Sequence, residues 1–291
     1  MAGMTLSQSA KLTQDVLQQG VVETMATESK ILAVLPFMTV EGHGYSYNVE
    51  KNLGSAQFRN VNEAYNSTAI ETEKETEYLT ILGDEALIDS FQMEVHSNIN
   101  DLMAVEVALR SKGIAHKYET TFLNGQGTSK DFKGLLKRVA DGDQELAGTE
   151  NLVDDVDALL DMVQGGADAL IMNKKTRRKL TAVARDYITY AHNEFGKQVA
   201  KYGDVDILDV EQEILADDYV VAVKFGVHEA VAGLQSKSGV MVKKLGELGE
   251  TPQVKTRIEW FCGCAVFNPK TVAVRKPQEM MLSEAKTRAK K

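Results

Sequence analysis

The side chains able to do acid–base, nucleophilic or metal chemistry are few and scattered. The five histidines are His43, His96, His116, His192 and His228. None sits at the HExxH spacing or at a paired-ligand spacing on a helix. His96 and His116 share one helical stretch but lie far apart in it. Each reads as a surface or hydrogen-bonded structural histidine. The two cysteines, Cys262 and Cys264, flank Gly263. Two thiols are too few for a disulfide framework or a four-ligand zinc site. On a strand they point to one face, where they read as small buried apolar residues beside Trp260 and Val266. Gly125-Gln126-Gly127-Thr128-Ser129-Lys130 looks like a phosphate loop. It lacks the GxxxxGK[ST] spacing and follows a helix instead of a strand, so it reads as a helix cap and turn. Neither GxGxxG nor GxSxG occurs. The residues therefore assign no catalytic group, no cofactor and no metal, and the chain reads as a non-enzyme.

Charge is arranged in blocks. Lys174, Lys175, Arg177, Arg178 and Lys179 form a dense basic cluster. It reads as a nucleic-acid patch, as a solvated helix start, or as a cross-subunit partner for an acidic surface such as Glu71, Glu73, Glu75 and Glu77. Complementary charge of the last kind sets register more than affinity. Lys286, Arg288, Lys290 and Lys291 form a basic tail that reads as a solubilising terminus, with contact to packaged DNA as the alternative. The net charge of the chain is -9. A protein that grips DNA phosphates should be basic, which disfavours a sequence-reading DNA binder. An acidic wall around packed duplex would avoid pinning it, so the charge is compatible with a container.

With so little chemistry, the elements carry the reading. The chain is organised around residues 89–135. Asp89 and Ser90 are good N-cap residues. Phe91, Val95, Ile99, Leu102 and Leu109 recur at helical spacing and predict one apolar stripe. Met103, Val107, Ile114 and Tyr118 predict a neighbouring one. Asn98, Asp101, Arg110, Lys112 and Lys117 are left to face water. One uninterrupted helix from Ser90 to Phe122 would be ~50 Å long. It ends at Asn124-Gly125-Gln126-Gly127, residues that suit a left-handed cap, and Gly134-Leu135-Leu136 follows.

Upstream, residues 1–35 are polar and helix-compatible, with Leu12, Val16, Leu17, Val21 and Val22 as scattered apolar positions, which on their own read as a modest amphipathic helix on the chain's own core. Pro36 breaks the chain. Residues 43–50 alternate, with Tyr45, Tyr47 and Val49 on one face, and predict a strand. Residues 51–67 read as a loop tip and 68–82 as a second strand, its Glu71, Glu73, Glu75 and Glu77 on one side. Neither strand has the apolar face needed to bury itself in a core, and a long two-stranded ribbon is marginal alone in water. A ribbon lying on a partner is favoured over a solvated sheet edge blunted by charge. Downstream, helices are predicted over 151–163 and 176–190. Strands are predicted over 167–172, 205–210, 218–225, 256–266 and 271–276. The tail from Pro277 reads as mobile.

Composition sets the bounds. With 291 residues, 43% of them hydrophobic, the chain can form a sizeable core. No apolar run approaches a membrane span. The N-terminus lacks the basic-then-apolar order of a secretory signal, and the cysteine usage fits a reducing cytosol during synthesis.

A long helix running into Phe122-Leu123-Asn124-Gly125 and then Gly134-Leu135-Leu136 resembles the spine helix of tailed-bacteriophage major capsid proteins, the Hong Kong 97-type capsid fold. Ala169-Leu170-Ile171-Met172-Asn173 with Thr176, Arg177 and Leu180 is similar to that family's strand-then-helix segment. Val266-Phe267-Asn268-Pro269 leading into Val272-Ala273-Val274 is similar to its closing strands. Order and spacing match from about Pro36 to Lys276. The resemblance implies an α+β fold with an N-terminal arm (1–35) lying over neighbouring subunits and an extended β-hairpin loop (36–82). It further implies a peripheral domain with the spine helix (83–150 and 256–276), an α/β axial domain (151–255) and a C-terminal tail (277–291). The implied function is a structural subunit of an icosahedral phage head, assembled in the host bacterial cytoplasm. The implied partners are other copies of the chain in hexamers and pentamers, a separate scaffolding protein, a portal and a maturation protease. Double-stranded DNA is enclosed without sequence-specific binding, and no membrane is involved. Lys51, Phe58, Arg59, Glu71, Glu73, Glu75 and Glu77 are the expected subunit-interface residues. Some relatives crosslink a lysine in the extended loop to an asparagine in a neighbour, helped by a glutamate; Lys51 and Lys74 lie in the corresponding region, but the asparagine and glutamate are not matched residue by residue, so no crosslink is carried over. An encapsulin-type compartment is the first alternative, a soluble cytosolic enzyme the second.

Overall fold

The structure, a computed structural model, describes residues 4–6, 8, 16–50, 58–64, 72–96, 102–140, 144–192, 198–247 and 251–277. Its first half holds helices α1 (Val16–Glu28) and α2 (Lys30–Val34) and strands β1 (Phe37–Val40), β2 (Gly44–Glu50), β3 (Thr72–Tyr78) and β4 (Thr80–Asp89). Helices α3 (Ser90–His96), α4 (Leu102–Asn124) and α5 (Leu135–Ala140) follow. Then come β5 (Glu145–Ala147), α6 (Leu152–Met162), β6 (Ala169–Asn173) and α7 (Lys174–Val183). The chain closes with β7 (Ile188–His192), β8 (Gln198–Tyr202), β9 (Val205–Val210), β10 (Val220–Val223), β11 (Val231–Glu247), β12 (Gln253–Val266) and β13 (Val272–Lys276). Among the described residues these strands form three sheets. One has the order β1-β11-β12-β4, one the order β5-β13-β10-β6-β9-β8-β7, and β2 pairs with β3 as a separate ribbon.

Helix α4 lies along the four-stranded sheet. It buries Val107, Ile114, Ala115, Tyr118, Phe122 and Leu123, which repeat at three and four and so make one face. Tyr118 is fully buried. Its ring lies 4.8 Å from that of Trp260 on β12 and 5.4 Å from that of Phe132, within the range of favourable aromatic pairs. Phe37 of β1 closes the cluster against Trp260 at 5.4 Å. The second of the two predicted stripes is thus the buried one. The first is not: Phe91, Val95 and Leu109 are 73%, 53% and 57% exposed, and Leu102 is half-buried. Apolar residues occupy two adjacent sides of α4, and periodicity alone does not say which side a sheet will cover. The single rod predicted from Ser90 to Phe122 is described as α3 and α4; Asn98, Ile99 and Asp101, which would join them, lie outside the described residues.

This assignment has a direct test. Ile114→Asp buries an unpaired carboxylate, a cost of several kcal/mol against a typical domain stability of ~5–15 kcal/mol. Leu109→Asp should stay within about ±0.5 kcal/mol, as surface changes do. Denaturant unfolding of the two variants should separate them clearly; equal losses would mean that the buried face is assigned wrongly.

Residues 16–35 take the alternative of the two readings, an amphipathic segment on the subunit's own core. Val21, Val22, Met25, Ala26, Ile31, Leu32 and Leu35 belong to the subunit's own core, together with α4 and Trp260. Ser29 breaks α1 from α2. Its Oγ accepts from Leu32 N at 3.2 Å, the N-cap bond, and donates to the buried Glu119 of α4 at 2.8 Å.

The seven-stranded sheet is buried on both faces, which is why its central strands read as unbroken apolar runs. On β6, Ala169 and Ile171 face the main core, while Leu170 and Met172 face a second core beneath α6 and α7. Strand β13 pairs with β10 and β5 in the seven-stranded sheet, while β12 lies between β11 and β4 in the four-stranded one. The helix predicted over 176–190 ends at Val183, and Ile188–His192 is strand. The stretch read as one strand over 68–82 is two in its described part, β3 and β4, divided at Leu79. Strand β11 escaped periodicity because its register with β12 shifts between Gln235 and Val240 and between Lys244 and Gly246. Each slip exchanges the faces and erases alternation.

Candidate functional site

The ribbon and its root are the part of the fold left without a full core. Strands β2 and β3 pair in antiparallel register, with Tyr45 opposite Glu77, Tyr47 opposite Glu75 and Val49 opposite Glu73. Residues directly opposite share a face. Glu75 and Glu77 therefore stand on the same face as the tyrosines, and that face turns toward the body. Tyr47 and Val49 are buried with Ala232, Leu234, Ala265 and Phe267. This corrects the expectation that neither strand has an apolar face: the root of the ribbon has one. Ring contacts of Tyr47 and Tyr45 with Phe267, at 4.8 Å and 6.1 Å, fix it further. The opposite face is polar, with Ser46 and Thr76 hydrogen-bonded at 2.8 Å in the open.

Glu77 is not an outward interface carboxylate. Arg138 of α5 donates to it at 2.5 Å, to the Cys264 carbonyl at 3.1 Å and to the Lys133 carbonyl at 3.1 Å. The side chains of Arg138 and Glu77 are only 10% and 14% exposed. Burial works against the charge on Arg138, but Glu77 more than offsets it and holds the guanidinium pKa above its ordinary value. Glu75 remains exposed and shares the single Tyr47 hydroxyl proton with the Val266 carbonyl, the two acceptors lying 3.2 Å and 3.1 Å from the hydroxyl oxygen. Burial, then the nearby Glu77, pushes the Tyr47 hydroxyl pKa up. Nothing in the sequence near Arg138 marks it as the anchor; only the approach of α5 to the ribbon does.

Of the other expected interface residues, Phe58 is fully solvent-exposed and Arg59 exposed at the ribbon tip. Lys51, Glu71 and the side chain of Glu73 lie outside the described residues. The basic cluster of α7 is neutralised within its own subunit. Lys174 pairs with Glu211 and Lys175 with Asp217. Arg177 pairs with Asp209 at 3.0 Å and Lys179 with Asp218 at 2.6 Å. Four of the five cations are thus committed inside the fold, against the reading of a cross-subunit partner for the ribbon.

The 125–130 loop and the two cysteines are occupied by their own surroundings. The amides of Gln126 and Thr128, which a phosphate would need, donate to Asp131 at 3.0 Å and 2.7 Å. Cys262 and Cys264 are fully buried, and burial pushes the Cys264 thiol up to about 12. A thiol held so high does not serve as a nucleophile near neutral pH. Among the described residues no group of three His, Cys, Asp or Glu side chains could hold a metal ion. Among them also, no helix is long and apolar enough to cross a membrane.

Neither a protein-family model nor a curated protein sequence matches the chain. Solved structures do match in shape. The holo-SrpI encapsulin complex from Synechococcus elongatus PCC 7942 superposes with a TM-score of 0.68 at 17% identity, over 85% of this chain and 86% of the other. A structure from Microbacterium phage Oxtober96 gives 0.64 at 15% identity, over 86% and 91%. The capsid of a native GTA particle gives 0.63 at 16% identity, over 87% and 90%. The chain has the α+β Hong Kong 97-type major capsid fold.

Proposed function

We propose that the chain is a tailed-phage major capsid protein, a shell subunit whose work is geometric. The observation that carries the reading is the ribbon. A two-stranded element with a buried, ion-paired root ends in a tip whose Phe58 and Val61 are 108% and 88% exposed. A subunit that held these side chains out as a monomer would keep apolar surface in water for no gain. A subunit that tiles a closed surface would bury them against its neighbour. Copies of the chain then form ring-like capsomers and a closed container for double-stranded DNA. A scaffolding protein, a portal and a maturation protease act on that container in the host cytoplasm. The subunit itself supplies no catalysis.

Electron microscopy of the purified protein, alone and co-expressed with its neighbouring genes, should show closed shells or capsomer-sized rings. A strictly monomeric solution in both conditions overturns the proposal. A cargo-enclosing compartment is the second reading, favoured by the 0.68 TM-score of the encapsulin complex. The contents decide between them: particles whose ultraviolet spectrum is dominated by nucleic acid support the phage head, and particles carrying one stoichiometric protein support the compartment.

A further inference from the structure

Three consecutive residues at the α1–α2 corner each hold a different point of the fold. Glu28 pairs with Lys112 of α4 at 3.2 Å, both side chains being about half-exposed. Ser29 is buried; its hydroxyl donates to Glu119 of α4 at 2.8 Å while accepting from Leu32 N as the α2 cap. Lys30 pairs with Asp209 of β9, which Arg177 of α7 also reaches, at 3.0 Å. The corner therefore grips α4 at two positions seven residues apart, on one side of the helix, and ties that grip to the seven-stranded sheet. Glu119 is the odd member of this cluster, a carboxyl only 8% exposed. The nearby lysines are spent elsewhere: Lys112 on Glu28, Lys30 on Asp209 and Lys174 on Glu211. Among the described residues no lysine or arginine pairs with Glu119.

We propose that the corner Glu28-Ser29-Lys30 is a proton-gated clasp, which holds Glu119 neutral while shut on α4 and releases the Glu119 proton to water when it lifts. A buried carboxylate without an ion pair is costly, so the shut corner favours the neutral acid. Lifting lets water reach the group, and water favours the carboxylate. The groups that face Glu119 agree. Burial is the largest influence and favours the neutral form. The Ser29 hydroxyl, the Ile31 amide and His116, three residues earlier on α4, favour the charge, while Glu211 in the loop after β9 opposes it. The balance holds the carboxyl above its usual range. Opening thus releases a proton between the unfolded value of ~4.3 and the raised folded one. The open fraction grows as pH rises through that window and levels off above it. The clasp belongs to the single subunit and stands apart from the shell reading.

Hydrogen exchange of the full-length protein tests this, followed from pH ~4.3 upward and corrected for the intrinsic pH dependence of amide exchange. The reporters are the amides of Leu32, Ala33 and Leu35, which bond to Ser29 and Ile31. Their protection should fall by up to about tenfold per pH unit, the slope for one proton, and then level off. The β12 amides should show no such slope. Glu119→Gln keeps the shape and the acceptor oxygen but cannot ionise, and should abolish the slope. Ser29→Ala should lower protection at every pH yet keep the slope, because Glu119 still ionises on opening. Infrared titration of the wild type reads the carboxyl without mutation: a buried carboxyl should lose its proton at the pH where the slope ends. This last comparison decides the matter even where Glu119→Gln fails to fold. A flat wild-type profile, a slope that survives Glu119→Gln, or a slope ending where no carboxyl titrates overturns the clasp.

Discussion

Arg275→Gln should cost the folded subunit about 3–5 kcal/mol, because removing one member of a buried ion pair strands the other. Arg275 on β13 and Asp155 on α6 pair at 2.7 Å with side chains only 6% and 5% exposed. The guanidinium also donates to the carbonyls of Asp218 at 2.5 Å and Thr149 at 3.0 Å. It thereby joins the start of α6 and the loop before β10 to β13 of the seven-stranded sheet. Glutamine cannot reach all three acceptors, and Asp155 would keep only the bonds from the Thr149 amide and hydroxyl, both at 2.7 Å. Urea unfolding of the variant measures the loss; a change under 1 kcal/mol would mean that the pair is more solvated than its burial indicates.

The same pair sets a pH dependence. Burial alone would raise the Asp155 carboxyl pKa, but the hydrogen bonds from Thr149 and Arg275 outweigh it and hold the group below its usual value. Its contribution is therefore present above the unfolded value of ~3.9 and is lost as pH falls through the folded one. Glu119 runs the other way. Burial holds its carboxyl up despite the bonds from Ser29 and Ile31, so its share is full below the unfolded value and lost as pH rises through the folded one. Asp155→Asn should flatten the acid limb of stability below about pH 4 while leaving the Glu119 slope above it.

Arg138→Gln is expected to cost about 3 kcal/mol, the low end for breaking a buried pair, with the loss concentrated at the ribbon root. Glu77 would be left without its cation beside the Tyr47 hydroxyl. The guanidinium's second bond, to the Cys264 carbonyl on β12, would go at the same time. Amide exchange should speed up in β2 and β3 before it does in β11 or β12. Arg138→Lys should fall between the two, because a point charge cannot serve Glu77 and two carbonyls in the fixed fork of a guanidinium. Combined with Glu77→Gln, the cycle should give a coupling of ~0.5–3 kcal/mol. Additive losses would show that the two side chains act independently and that the ribbon is held by Tyr47 and Val49 alone.

What the sequence by itself determined was the kind of element at most positions and, through their order, the class of fold. Apolar runs marked β6 and β10, and the spacing of Val107, Ile114 and Tyr118 marked the buried face of α4. Scarce and badly spaced histidines and cysteines argued against chemistry. These signals are local, set by backbone periodicity and by which residues tolerate burial. Tertiary structure decided which surfaces meet. It chose between the two apolar sides of α4, because the face a helix buries depends on where the sheet lies. It laid α1 and α2 in the subunit's own core, since Met25, Ile31 and Leu32 share with Trp260 and Tyr118 a core that β12 and α4 build from distant parts of the chain. It turned Glu77 inward, because Arg138 reaches it from α5, far along the chain. A carboxylate reads as solvent-facing in sequence; only a cation delivered from another element makes its burial affordable.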